Sequence, residues 1–146
     1  MKEGINVYGG FAGTETRKGE RKLKDGGMPW EYEYLTVLKG SGYVSEDETG
    51  RKCVWSENDQ KWTVSGSNSS HVVWFARMDG SAFTRSTVLD GVTIKGGSAR
   101  VEYAGDYDGD RGGGVYMQLM PTLIIVIVTE NSAEGNGGAV YMEGGC

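Results

Sequence analysis

Three aspartates at alternate positions are the first candidates for a chemical function in this chain. Asp106, Asp108 and Asp110 lie in the segment DYDGDRG. Clustered carboxylates at such spacing are typical ligands of calcium, which binds oxygen atoms. The segment differs from an EF-hand loop, because its sixth position is Arg111 instead of glycine and its twelfth is Met117 instead of glutamate. Two interpretations stay open: a calcium ion, the one cofactor that these residues suggest, or a solvated acidic turn.

These side chains provide little evidence for a catalytic function. A glycoside hydrolase needs two carboxyl groups at a fixed separation, and aspartates on one surface loop are poorly placed to provide it. His71 is the only histidine, and no serine or cysteine at a suggestive spacing accompanies it, so we interpret it as structural. The sequence also shows no cluster of arginine or lysine with acids on one predicted face. We therefore predict no catalytic residues.

The four tryptophans offer flat apolar surfaces on which a sugar could stack. Trp74 lies inside the apolar run VVWF and is predicted to belong to the core. Trp55 and Trp62 are the predicted ligand-binding candidates, since they flank the polar centre of CVWSENDQKWTV (53–64), a pattern typical of a hairpin. The alternative is a cross-strand pair that only stabilises its own hairpin, which is the commoner arrangement.

Composition narrows the class of protein. Glycine supplies 25 of the 146 residues and proline only 2, which indicates many tight turns in an ordered chain. The net charge of −5 gives no general attraction to nucleic acid or to anionic membranes. The longest apolar run, 123–128, is far shorter than the roughly 20 residues of a membrane span. Cys53 and Cys146 form neither a disulfide framework nor a zinc motif.

An internal repeat is the strongest structural signal. The segment 121–142 echoes 86–99 and then 111–117, with the ending VYM in both copies. The alignment pairs apolar residues, namely Leu89 with Leu123, Val92 with Val126, Ile94 with Val128 and Val115 with Val140. It also pairs Gly97 with Asn131, two residue types that readily adopt positive φ. The separation in sequence between paired residues differs on the two sides of the segment 100–110, and one polar insertion there explains the difference.

Short β-branched strands and glycine turns in a repeat of about 25 residues are typical of a β-solenoid. Helical repeats fit poorly, because glycine at this density weakens helices. The sequence therefore predicts an all-β parallel β-helix with inward apolar columns and outward loops. We expect the segments 86–99 and 121–142 to lie side by side as parallel neighbours with their paired apolar side chains buried.

Particular motifs resemble a known family. LDGVTIKGGSA, GGGVYM, PTL followed by VTENSA, and GNGGAVYM are similar to the right-handed parallel β-helices of bacterial surface proteins, including repeats of the polymorphic outer-membrane protein type. GINVYGGFAGTET (4–16) is similar to the motif that opens many such domains. The resemblance implies a secreted or cell-surface, adhesin-like protein. It also implies an alternative, a lyase or glycoside hydrolase acting on polysaccharides, because such solenoids host both.

The organisation predicted for the chain is one domain, 1–146, with long insertions on its early rungs. TVLKG (36–40) and HVVWFA (71–76) read as further strands, 41–70 as a hairpin-like insertion and 14–30 as a charged loop. Neither end shows a capping segment, so we expect a fragment of a longer solenoid.

The predicted function is an adhesin-like binding or structural solenoid, extracellular or at a bacterial cell surface, with a glycan or protein ligand. The sequence predicts no nucleic-acid partner and no membrane span. Alternating residues of LIIVIV must point outward, so the Ile124–Ile127 strip is expected to be covered by a loop or by another chain. Self-association through this strip or through the open solenoid end is a further expectation.

Overall fold

The chain is all-β in the computed structural model, which describes residues 4–40, 53–56, 61–64, 69–75, 86–100, 109–118 and 120–143. Its strands are β1 Asn6–Tyr8, β2 Thr36–Lys39, β3 Cys53–Ser56, β4 Lys61–Val64, β5 Val73–Phe75, β6 Val88–Asp90, β7 Val92–Lys95, β8 Ser98–Ala99, β9 Val115–Met117, β10 Thr122–Ile124, β11 Ile127–Thr129, β12 Ser132–Ala133 and β13 Val140–Met142. Within the described residues the helical structure is limited to one 3-10 turn, Lys18–Glu20.

The described strands fall into three successive groups along the chain, which we call passes. The first pass contains β1, β2 and β5, the second contains β6 to β9, and the third contains β10 to β13. Parallel pairing joins the passes into short sheets in the orders β1-β6-β10, β2-β7-β11, β8-β12 and β5-β9-β13. Equivalent strands of successive passes therefore lie beside one another, as expected for the repeat.

The register confirms the predicted alignment. Leu89 pairs with Leu123, and Val115 pairs with Val140. Ile94 pairs with Val128 in the sheet formed by β7 and β11. The two offsets predicted from the sequence are thus both present, one on each side of the 100–110 insertion.

The core lies inside the second pass and the adjoining strand of the first. Its buried apolar side chains are Val73, Phe75, Leu89, Val92, Ile94, Val115 and Met117. The prediction that the third-pass partners are equally buried was wrong, because Leu123, Val126 and Val128 are only half-buried against this core. Within the described sheets the third pass is the outermost, although an edge position alone does not decide burial, since Val73 and Phe75 of the edge strand β5 are buried.

The predicted turn position was wrong by one residue. Positive φ occurs at Gly96 and at its equivalent Glu130, with φ of 77° and 54°, and neither Gly97 nor Asn131 adopts it. Asn131 instead bridges two passes: its Oδ1 accepts a hydrogen bond from the Gly97 N–H at 2.8 Å, and its Nδ2 donates to the Ile94 carbonyl at 3.0 Å. The asparagine therefore stabilises the corner through its side chain.

Long connections lie in the first pass. Between β2 and β5, strands β3 and β4 pair antiparallel, with Trp55 opposite Trp62. Between β1 and β2, the chain from residue 9 to residue 35 forms an irregular loop that contains the 3-10 turn and one isolated antiparallel bridge, Leu23 with Tyr32. We call this segment, 9–35, the long loop.

Candidate functional site

A buried carboxylate attaches the long loop to the strands. Asp90, at the end of β6, is 1% exposed, and its Oδ2 lies 2.9 Å from Lys18 Nζ and 3.1 Å from Arg21 Nη2. Burial by itself raises the pKa of Asp90, but the hydrogen bonds and charges of Arg21 and Lys18 outweigh it, so the pKa lies below its usual value. The Asp90 clamp, formed by these three residues, is therefore ionised at neutral pH.

Aromatic rings surround the arginine of the clamp. The guanidinium carbon of Arg21 lies 4.5 Å from the centre of the Tyr32 ring and 5.6 Å from that of Phe11. Arg21 Nη1 also donates a hydrogen bond to the Gly9 carbonyl at 3.1 Å. Cation–π contacts of a poorly hydrated arginine are stronger than exposed ones. The long loop is consequently held by charge, hydrogen bonds and ring stacking together.

The anchored loop forms one wall of a groove. We call the space between the loop and the outer face of β2, β7 and β11 the loop groove; it has a volume of about 390 Å³. Its floor includes Val37, Thr93 and Ile127, while Trp30 and Leu35 line the loop side. Trp30 is 50% exposed and Leu35 is 69% exposed, so large apolar surfaces face water here. A concave, mostly apolar space with a few polar groups is typical of a ligand site.

Charged side chains line the same groove. Lys24, Glu31 and Glu33 come from the long loop, Lys95 comes from β7, and Glu130 comes from the turn after β11. Lys95 Nζ lies 3.4 Å from a carboxylate oxygen of Glu130. Both signs of charge are present, so the groove offers donors and acceptors beside its apolar floor.

The isoleucine strip lies partly in this groove. Ile125 and Ile127 line it opposite the long loop, and Ile125 is half-buried. Ile124 and Ile127 remain 37% and 40% exposed. The loop thus approaches the strip, as expected, and leaves part of it open to solvent.

A second surface carries a column of aromatic rings. Trp74, Tyr116 and Tyr141 occupy the central positions of β5, β9 and β13 and pair with one another in register. The Trp74 and Tyr116 ring centres are 6.1 Å apart, and those of Tyr116 and Tyr141 are 5.5 Å apart. Their strand neighbours Val73 and Val115 are buried in the core, so this column lies on the opposite face, which we call the aromatic face.

Polar groups adjoin the aromatic face. The His71 ring centre is 5.6 Å from that of Trp74 and 5.1 Å from that of Tyr116. Arg111 Nη1 donates to the Tyr141 hydroxyl oxygen at 3.1 Å, and the Tyr116 hydroxyl donates to Glu143 Oε2 at 2.6 Å. The aromatic face therefore combines flat apolar surfaces with hydrogen-bonding groups of both kinds.

Glu143 is the carboxylate at this face that accepts hydrogen bonds. Hydrogen bonds from Tyr116 and from Gln118 lower the pKa of Glu143. Asp110 Oδ1 lies 3.5 Å from Arg111 Nε, an ion-pair contact that is not a hydrogen bond. The lowered pKa of Glu143 is the opposite of what a catalytic acid needs in order to stay protonated near neutral pH.

The predicted site residues have different outcomes. Asp106 and Asp108 lie outside the described residues, so the calcium site stays a prediction; Asp110 is described and half-buried. Within the described part of the chain, no group of three or more His, Cys, Asp or Glu is arranged to hold a metal ion. Trp55 and Trp62 pair across the hairpin strands, and their ligand binding stays a prediction.

One expectation about these residues was wrong. Trp74 is 47% exposed rather than part of the core, because alternation along β5 buries Val73 and Phe75 and turns the residue between them outward. Arg111 lies close to Asp110 and to the ring of Tyr141. In β9 the tyrosine of the repeated VYM lies between Val115 and Met117, which belong to the core, whereas in β13 the predicted inward residue Val140 is 37% exposed and Met142 is 55% exposed.

The Asp90 clamp and the loop groove were not predicted at all. Asp90 lies 69 positions after Arg21 in the chain, and no local pattern relates it to Lys18 and Arg21.

None of the described residues form a helix of the length and hydrophobicity that a membrane span needs. Comparison with known proteins adds no relative: no family model, no curated protein and no solved structure matches this chain.

Proposed function

We propose that the chain is a right-handed parallel β-helix domain that acts as an adhesin-like binding or structural module of a secreted or bacterial cell-surface protein. The observation that supports the architecture is the parallel pairing of equivalent strands over three passes. Crossover connections between parallel strands are right-handed in about 98% of cases, which favours that hand. The long first-pass connections correspond to loops that project from such a solenoid.

The loop groove carries the binding function. Exposed Trp30 and Leu35 line it together with Val37 and Ile127, although a soluble surface normally avoids gathering such side chains in one place. The Asp90 clamp fixes the loop wall, so the groove is formed before a ligand arrives, and a preformed site loses less entropy on binding. A glycan or a protein segment is the expected ligand.

The lowered pKa values of two described carboxylates favour binding over catalysis. A glycoside hydrolase needs one carboxyl group with a raised pKa as its acid. Here the pKa values of Asp90 and Glu143 are both lowered, the first mainly by Arg21 and Lys18 against the effect of burial and the second by Tyr116. The polysaccharide-active alternative would show turnover of neutral or acidic polysaccharides by the full chain, and we expect none.

A new carboxylate at position 35 is expected to weaken ligand binding in the groove without unfolding the protein. Leu35 is 69% exposed, so Leu35→Asp costs little stability, whereas it places a carboxylate against the apolar floor. For a ligand found by screening the chain against glycans and host surface proteins, we expect affinity to fall at least about tenfold. Isothermal titration calorimetry measures this change.

Met120→Asp is the matched control. Met120 is 53% exposed and does not line the loop groove, so this variant receives the same new charge elsewhere. Equal affinities of the two variants for the screened ligand would rule out the groove as its site. Thermal unfolding of both variants checks that each remains folded.

Association of the chain with itself is expected at high concentration. Strands β10 to β13 are edge strands within the described sheets, and unpaired edges pair readily with other chains. Sedimentation velocity over a concentration series should show an increase in mean mass. Ile127→Lys should reduce association through the exposed strip, while association that persists in this variant would be assigned to the strand edges. A strictly monomeric wild-type chain would contradict the expectation.

A further inference from the structure

The aromatic face has a composition that the packing of the passes does not require. Outward positions of a water-facing sheet usually carry small or charged side chains. Here three large rings occupy the central positions of three adjacent strands, and Tyr116 is fully buried between its neighbours. Stacking between rings stabilises the sheet. Trp74 keeps 47% of its surface exposed.

The histidine beside Trp74 presents an acceptor. His71 Nδ1 lies 3.2 Å from the Gly112 carbonyl oxygen. A carbonyl oxygen only accepts hydrogen bonds, so Nδ1 carries the hydrogen, and in the neutral ring Nε2 is then an acceptor. No hydrogen-bond partner of Nε2 lies among the described residues. An acceptor is thus placed next to an exposed indole ring.

The other end of the face presents a donor and a second acceptor. The Tyr141 oxygen accepts from Arg111, which leaves the hydroxyl hydrogen of Tyr141 available to donate. Glu143 Oε2 accepts from Tyr116 at 2.6 Å and from Gln118 at 3.3 Å, so the hydrogen bonds to Glu143 within the described residues use one of its two oxygens. The face therefore offers a flat ring with hydrogen-bonding groups on either side.

The charges of the face select the ligand class. Arg111, the cation that contacts the column, lies 3.5 Å from a carboxylate oxygen of Asp110 and also hydrogen-bonds to Tyr141. With Glu143 added, the described charges are one positive and two negative. An acidic ligand would meet net repulsion, whereas a neutral ligand with hydroxyl groups would not.

We propose that the aromatic face is a binding site for a neutral oligosaccharide, with Trp74 stacking on the apolar face of one sugar ring and with His71 and Glu143 accepting hydrogen bonds from sugar hydroxyls. This site is separate from the loop groove, although the proposal rests on the same general binding function. Saccharides fit because each ring combines an apolar C–H face with hydroxyls that both donate and accept.

The test is a titration of the full chain with cellohexaose, mannohexaose and xylohexaose, with oligogalacturonate as the acidic comparison. Nuclear magnetic resonance should show a shift of the Trp74 indole signal with at least one neutral probe and none with the acidic one. Trp74→Ala should weaken that binding by about tenfold or more, as expected for loss of a ring-stacking contact. Trp30→Ala is the matched control, since Trp30 is 50% exposed in the loop groove, and it should leave the affinity unchanged.

A second variant separates binding from packing. His71→Phe keeps a ring against Trp74 and Tyr116 but removes the acceptor, so affinity should fall several-fold. It also removes the hydrogen bond to the Gly112 carbonyl, so the melting temperature should fall, and binding is measured well below it. The proposal is overturned if none of the neutral probes shifts the Trp74 signal, or if Trp74→Ala binds as tightly as wild type. Loss of binding in Trp30→Ala alone would also overturn it while supporting the loop groove. An unchanged affinity of Leu35→Asp for its screened ligand, together with the expected Trp74 response, would contradict the loop groove only.

Discussion

Gly97→Ala is expected to destabilise the domain by at least about 3 kcal/mol, at the upper end of what overpacking costs. A Cβ at this position would overlap the carbonyl oxygen of Gly113, and a Cβ at Gly113 would overlap that of Ser132. Backbone atoms cannot rotate away as a side chain can, so the passes would have to separate. Urea denaturation followed by far-ultraviolet circular dichroism measures the loss.

The control for this experiment is Gly19→Ala. Gly19 lies in the 3-10 turn, and no atom lies within 4 Å of its added Cβ. Its substitution should change the free energy of unfolding by less than about 1 kcal/mol. A Gly97→Ala protein as stable as the Gly19→Ala protein would show that the close approach of the backbones is not required for the fold.

Asp90→Asn is expected to lower the free energy of unfolding by about 3 kcal/mol, because it leaves the buried Arg21 without its charged partner. Arg21 is 7% exposed, so water compensates poorly for the lost ion pair. The wall of the loop groove should detach, and trypsin should then cut faster at the basic residues of the long loop. Urea denaturation and limited proteolysis measure the two effects.

The contribution of Asp90 depends on pH in a defined direction. The pKa of this carboxyl is lowered in the folded chain, so its stabilisation is complete above the pKa of the unfolded chain, near 3.9, and is lost as the pH falls through the lower folded value. Wild type and Asp90→Asn should therefore differ at pH 7 and converge below about pH 4. Asp25→Asn, an exposed site in the same loop, should behave as wild type. A difference between wild type and Asp90→Asn that is constant down to pH 2 would contradict this role of the ion pair.

The two proposed surfaces depend differently on the Asp90 clamp. Asp90 fixes the long loop and so forms the loop groove, whereas the aromatic face is formed by strands alone. Asp90→Asn should therefore weaken binding in the groove and spare binding at Trp74. The two surfaces can be tested independently in one set of variants.

The sequence by itself determined the all-β class, the parallel neighbours and their register. Leu89 with Leu123 and Ile94 with Val128 were predictable because strands alternate with a period of two, and a slip by one residue would exchange the inner and outer sets. This alternation predicts the same burial for every copy of the repeat. It could not show that Leu123 is half-buried, since that depends on what packs against the strand in space.

The tertiary structure alone decided where the candidate sites lie. The Asp90 clamp joins residues 18, 21 and 90, and the loop groove exists only because this contact folds the long loop over the strands. The apolar run VVWF predicts a core position for Trp74, whereas alternation along β5 points its neighbours inward and leaves Trp74 exposed. Pattern along the chain fixes which strands pair, because pairing follows a local period. Sites depend on ion pairs and ring contacts between distant segments, and no local period encodes those.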